Sequence, residues 1–406
     1  MNLIKKIFFI LFLFYISLLP TRLGFISQTA NEILVILFSF TGVLSLALYL
    51  PGVRYKVDRL DLFLLVFLVL YPLFSSIVAR ITVGQPVYMG LLTFRSLYII
   101  LVWYAFLIMG FSQHSVLDYT EKVVFLIIII ATILFLVFNF NDFNTSFMKG
   151  SLVVKFGHTT TKGMQFSGFT SLFFIPYIYG WVRYFEKNKP GFLALPLLIL
   201  IFSVYISKAR NEILTMAILP LFMYYLRYRL YDIRYLLISS LIVVSFFYIA
   251  LTDNVISRNF AGLLRPGDLE FAHKTKDYSA YLRYEEINAG WRWFLKYPIT
   301  GIGSLSYRYN GGYQGVISDF FFISDIGLLG ILIKGGLILL ALYYVFYRLL
   351  FKIFGNDDLF SLTGSYLVLF LLIELIIGND YLFNYTGAFV ILLLIKPTRK
   401  EIERKL

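Results

Sequence analysis

About twelve runs of mostly apolar residues, each near the ~20 that a helix needs to cross a bilayer, dominate this chain and leave little room for any other architecture. They fall near residues 3–20, 33–50, 62–79, 89–110, 123–140, 167–184, 192–207, 211–226, 235–252, 327–348, 359–377 and 384–395. In hydrocarbon a backbone must satisfy its own N–H and C=O groups, which only helices and closed barrels achieve. Runs of this length read as helices, so the expected fold is an all-α polytopic integral membrane protein with about 12 transmembrane helices. Composition agrees: the chain is 59% hydrophobic and 15% charged, against roughly 25% charged in soluble domains. Residues 1–406 are expected to form a single transmembrane domain.

The positions of Lys and Arg orient the runs, because cations gather in cytoplasmic loops. With Lys5 and Lys6 inside, alternation puts Arg54, Lys56 and Arg59, then Lys122, then Arg183, Lys187 and Lys189 on the same side. Arg227, Arg229 and Arg234, Arg348 and Lys352, and the tail from Lys396 to Lys405 come next there as well. Both termini are thus expected in the cytoplasm. The opening run resembles a signal peptide, but no small-residue cleavage site comes after it and the apolar pattern resumes at once, so a retained first span is expected.

Two long connections fall on the outer side, a smaller one at 141–166 and a large one at 253–316. Within the larger, Tyr281, Tyr284, Ile287, Trp291 and Phe294 recur at helical spacing, which predicts an amphipathic helix over Ala280 to Phe294 lying on the membrane. Short interfacial helices in an extracytoplasmic loop complete the expected architecture.

Several chemistries are excluded or disfavoured. The chain has no cysteine, and His114, His158 and His273 are far apart, so no metal centre and no cofactor are expected. The formal charge of +13 lies between apolar runs, not on a platform of interleaved basic and aromatic residues, so nucleic acid is not an expected partner. Membrane lipids are.

Three polar constellations remain. Lys208 and Arg210 sit in a short turn between two apolar runs, where the next helix begins near Asn211; a helix N-terminus beside two cations suits a phosphate. The same residues read equally as interfacial cations snorkelling to headgroups. Arg283, Arg292 and Arg308 accompany Trp291, Trp293 and the turn Pro298-Ile-Thr-Gly-Ile-Gly303. Arginine's planar fork grips two phosphate oxygens and keeps its charge when partly desolvated, and aromatic faces suit sugar rings. The alternative is an aromatic interfacial belt with solvated arginines. Ser318-Asp319 precedes another apolar run, where the carboxylate suits a general base or a helix N-cap; Asp325 fits either part. Arg95 and Glu374, inside apolar runs, mark costly positions outside these three groups.

Their order along the chain adds a resemblance. Lys208-Ala-Arg210 at a span junction is succeeded by Arg283 to Trp291, by Phe294-x-x-x-Pro298-x-x-Gly301-x-Gly303, and by Ser318-Asp319 opening a stretch that ends in Gly327-x-x-Gly330. This order resembles the O-antigen polymerase and O-antigen ligase superfamily of bacterial lipid-linked glycan transferases. The resemblance implies metal-independent glycosyl transfer outside the cytoplasmic membrane, with a polyprenyl-diphosphate-linked oligosaccharide as donor and no nucleotide sugar. Arg210 and Arg283 match arginines that the family uses at the diphosphate, and Asp319 falls where the ligases carry a histidine and many polymerases an aspartate.

The resemblance therefore implies a polysaccharide polymerase of the O-antigen or capsule type, with Asp319, Arg210 and Arg283 catalytic and Lys208, Arg292, Arg308 and Trp291 binding substrate. A ligase handing the glycan to a lipid or protein acceptor is the alternative within the class. A lipid-linked oligosaccharide flippase is the alternative outside it, since many spans with buried charge also suit alternating access. A chain-length regulator is an implied partner of a polymerase.

Overall fold

The computed structural model describes residues 3–16, 28–52, 59–111, 113–140, 170–204, 210–228, 268–270, 279–355 and 358–377. All regular structure among them is helical. The helices are α1 (Leu3–Ile16), α2 (Gln28–Gly52), α3 (Arg59–Val83), α4 (Val87–Thr93), α5 (Arg95–Met109) and α6 (Gln113–Phe140). After them come α7 (Thr170–Lys187), α8 (Pro190–Phe202), α9 (Arg210–Tyr228), α10 (Ser279–Lys296), α11 (Gly327–Ile353) and α12 (Leu359–Ile377). The apolar runs at 235–252 and 384–395, the connection at 141–166 and most of 253–278 lie outside the described residues.

Four described helices are long and apolar enough to cross a membrane: Thr29–Leu48 of α2, Arg59–Val83, Gly327–Ile353 and Leu359–Ile376. The run expected as one span at 89–110 is instead two helices, α4 and α5, meeting at 46°; counted as one they make a fifth. The expected crossings, about twelve by the ~20-residue criterion, thus exceed the four or five that the described helices supply by length. α8 and α9 are apolar but shorter over their hydrophobic parts.

Side-chain contacts fix the relative directions of several helix pairs. Phe63 stacks on Phe346 and the Tyr71 hydroxyl lies beside Gly335, so α3 and α11 run antiparallel. Phe174 meets Phe370 while Tyr179 meets Phe360, so α7 and α12 are antiparallel too. α7 and α9 are parallel, because Tyr177 donates to the Met216 carbonyl and Phe185 packs on Tyr224. α2 and α5 are also parallel: Ser39 donates to the Arg95 carbonyl, and Gly42 meets Leu101 and Val102. These are the directions that strict alternation of the predicted runs requires.

The end of α3 is set by two backbone signals. Gly84 adopts a left-handed φ of 81° and its N–H closes the helix on the Arg80 carbonyl at 3.1 Å, as a C-terminal glycine does. Pro86 then prevents the helix from resuming before α4. Most buried apolar residues form one large core, but a second, smaller core gathers Ala79 of α3, Ala289 of α10, Ile302, Leu305, Phe321, Ile326 and Ile333 of α11.

Candidate active site

The small core lies where α11 is broken. Gly336 takes φ 60° and ψ −155° inside an otherwise helical run, a conformation that is essentially restricted to glycine. A break in a membrane-spanning helix strands carbonyls on one side and N–H groups on the other, each costing several kcal/mol if left in hydrocarbon. The loop after α10 supplies the missing partners. Ile302 and Gly303 donate to the carbonyls of Ile333 and Lys334 at 2.8 and 3.0 Å, and Leu337 and Ile338 donate to the carbonyls of Pro298 and Ile299 at 2.9 and 3.2 Å. The turn Pro298 to Gly303 thus replaces one turn of helix, which explains its glycines: a Cβ on Gly301 would lie 2.5 Å from the Ile333 carbonyl oxygen, and one on Gly303 would lie 2.6 Å from the Ala79 nitrogen.

From there the chain climbs along α3 and is pinned to it at each step. Thr82 donates to the Ile302 carbonyl at 2.9 Å. Ser75 bonds both the hydroxyl and the N–H of Ser304, at 3.1 and 2.9 Å. Gln85, fully buried, donates to the Ser304 carbonyl at 3.0 Å and accepts from the Ser306 N–H at 2.7 Å. Tyr309 donates to the Val83 carbonyl at 2.6 Å, and Tyr313 to that of Gly303 at 2.8 Å while accepting from the Leu305 N–H. Burial pushes the Tyr313 phenol above its ordinary pKa, so it remains a donor at any physiological pH. Gln85→Leu is expected to leave a buried carbonyl and a buried N–H unsatisfied, at a cost on the order of 3 kcal/mol. Thermal unfolding of detergent-purified protein should show the lowered midpoint.

α10, Ser279–Lys296, covers this loop. Its amphipathic character was legible, but the faces divide differently from the single predicted stripe. Tyr284, Ile287 and Trp291 do form an exposed apolar stripe, joined by Leu295, whereas Phe294 turns into the small core with Trp293. The opposite face carries Glu286, Ala289 and Gly290, all buried. Gly290 has no side chain because Ile333 occupies its place; a Cβ there would stand 2.6 Å from the Ile333 methyl. Glu286 accepts from the Phe322 N–H at 3.1 Å, tying α10 to the segment before α11.

The residues expected to act are spread over α9, α10 and the loop between α10 and α11. Arg283 is half-buried on α10, three residues from Glu286 and therefore on the side of the helix that meets α11. Arg292, exposed, donates from Nε to the Asn288 carbonyl at 3.3 Å. Trp291 is in the outward stripe, and Arg308 is exposed at the tip of the pinned loop. Lys296 sits over the rings of Trp293 and Tyr297, 5.2 and 5.3 Å from their centroids, a pair of cation–π contacts. Arg210 is the first residue of α9; Lys208 lies outside the described residues. Because α9 runs parallel to α7, α7 antiparallel to α12, and α12 returns along α11, the starts of α9 and α11 share one end of the bundle. Arg283 and Asp319 belong to that same end.

Asp319 is exposed, and it does not cap α11, which begins eight residues later at Gly327 behind a single 3-10 turn at Ile323–Ile326. Capping is therefore removed as an account of this carboxylate. Arg95, set aside on sequence grounds, pairs with Glu32 of α2 and is anchored there; Glu374 is fully buried within α12. Sequence reasoning missed Gln85, Ser75, Glu286 and Gly336. Gly84-Gln85-Pro86 reads as an ordinary turn between spans, and Gly335-Gly336 reads as part of an unbroken apolar run. Among the described residues no three His, Asp or Glu side chains gather as a metal site would need.

Long apolar helices, one of them broken, define a polytopic helical membrane protein, with a cationic, aromatic helix packed beside the break. Residues 195–344 match the family model described as O-Antigen ligase, and over that stretch the chain is similar to the O-antigen polymerase and ligase superfamily that the motif order resembled. The match spans 150 of the 406 residues and contains Lys208, Arg210, Arg283, Trp291, Arg292, Arg308 and Asp319, together with the break at Gly336. No curated protein matches the chain.

Proposed function

We propose that this chain is a polysaccharide polymerase that transfers a growing glycan from polyprenyl diphosphate to a lipid-linked repeat unit at the outer face of a bacterial cytoplasmic membrane. What carries this reading is that Arg210, Arg283 and Asp319 occur in the family's order inside the matched stretch and belong to one end of the bundle. The donor's diphosphate is the leaving group. Arginine at its oxygens neutralises the charge that grows as the bond to the anomeric carbon breaks. The acceptor hydroxyl oxygen attacks that carbon, its proton passes toward Asp319 and on to water, and polyprenyl diphosphate departs. A diphosphate is so weak a base that its departure calls for no general acid, which fits a site with more cations than acids.

The ligase reading rests on the matched family's description and differs in the acceptor alone; Asp319, where ligases carry histidine, favours polymerisation. Purified protein offered a lipid-linked repeat unit should convert it to a ladder of longer glycans on a gel. Capping of a lipid acceptor without a ladder would replace the polymerase by the ligase, and neither product would sink both. In the same assay Asp319→Asn is expected to slow turnover about 10²-fold, the scale of a lost general base, with donor binding retained. Turnover at the wild-type rate would remove Asp319 from the chemistry.

A further inference from the structure

The loop pinned along α3 ends in a tip, Tyr307-Arg308-Tyr309-Asn310-Gly311-Gly312, whose conformation is tightly held and whose first ring is left outside. Ser306 is fixed by Gln85, the Arg308 N–H donates to the Ser306 hydroxyl at 3.4 Å, and Tyr309 is tied to the Val83 carbonyl. Asn310 takes a left-handed φ of 47°, and Gly311 and Gly312 take 77° and 68°. The turn closes through a 2.7 Å bond from the Gly312 N–H to the Tyr309 carbonyl. A Cβ on Gly312 would meet the Tyr307 backbone at 3.2 Å, so the tip folds back on its own first residue. Tyr309 and Tyr313 point their hydroxyls inward to named carbonyls, yet Tyr307, anchored on both sides, is 77% exposed. The loop and the Asp319 turn share the small core, through Leu305 and Tyr313 before it and Val316, Ile317 and Phe321 around it. Tyr307 therefore keeps a fixed relation to Asp319.

An exposed phenol ring with a guanidinium on the next residue matches the two faces of a sugar: the apolar C–H face stacks on the ring, and hydroxyls accept from the guanidinium. Holding the backbone removes the ordering cost that a free loop would incur on binding. We propose that the Tyr307–Asn310 tip is the subsite for a sugar ring of the acceptor glycan, with Tyr307 as its platform. The proposal rests on the transferase reading, since that reading makes the glycan the ligand.

The test uses full-length protein in nanodiscs and two probes from cells lacking this chain: the accumulated lipid-linked repeat unit, and the oligosaccharide released from it by mild acid. Saturation-transfer NMR should show the free oligosaccharide on wild-type protein, with the signal lost in Tyr307→Ala and kept in Tyr307→Phe and Tyr307→Trp. With the lipid-linked unit as substrate, Tyr307→Ala should raise KM at least about tenfold, the loss of roughly 1.4 kcal/mol of binding, while kcat stays within about twofold. No oligosaccharide signal on the wild type, an equal signal on Tyr307→Ala, or failure of Tyr307→Phe to restore binding would overturn the subsite. Binding that depends on Tyr307 in a protein that elongates nothing would uphold the subsite and count against polymerisation alone.

Discussion

Arg283→Ala is expected to leave single lipid-linked repeats unextended, with transfer lowered about 10²–10³-fold, the scale on which one charge-stabilising donor matters in an enzyme. The expectation comes from its place: half-buried on α10, on the side facing α11, at the end of the bundle where Arg210 starts α9. A cation partly shielded from water acts on a diphosphate far more strongly than an exposed one. Arg292→Ala, at an exposed position one face away, should cost much less. Arg283→Lys keeps the charge but loses the fork, so it is expected to fall between wild type and alanine. The measurement is chain length on a gel from membranes carrying each variant, with protein amount matched. Long chains in the Arg283→Ala membranes would remove this residue from the site.

Gly336→Val is expected to be strongly destabilising. It combines a backbone conformation that side chains reject with a Cβ that would collide with the Ile299 carbonyl and sit 2.7 Å from the Gly301 nitrogen. Strain and overpacking together place the loss on the order of 4 kcal/mol. Thermal unfolding and size-exclusion profiles of detergent-purified protein should show a large drop in midpoint or no folded peak. Gly191→Ala serves as the control, since nothing lies within 4 Å of a Cβ there and no such loss is expected. A Gly336→Val protein with wild-type melting would mean that α11 runs unbroken in the membrane.

Much of this was legible in the chain because the rules involved are local. Apolar length gave the four described helices that are long enough to cross a membrane, helical spacing gave α10 to within two residues at each end, and the order of Arg210, Arg283 and Asp319 gave the resemblance with which the match over residues 195–344 agrees. What escaped depended on contacts between segments far apart in sequence. Glycine hardly interrupts a hydropathy run, so Gly335-Gly336 did not announce a break whose repair comes from residues 298–303. The Gln85 side chain bonds Ser304 and Ser306, about 220 residues later in the chain. Periodicity showed that α10 has an apolar side but not that Phe294 would leave it for the small core. Asp319 resembled a helix cap because Ser-Asp before an apolar stretch usually is one; only the late start of α11 shows otherwise.

The repaired helix also bears on how the protein is made. A ribosome releases residues 298–303 before Gly336, so the patch exists before the gap it must fill. The leading third of α11, from Gly327 to Gly335, has nine residues and reaches only about 13 Å at 1.5 Å per residue, too short to partition into lipid as an independent segment. α11 therefore settles in the bilayer only with the patch docked across its break, against an α3 that is already in place to receive both.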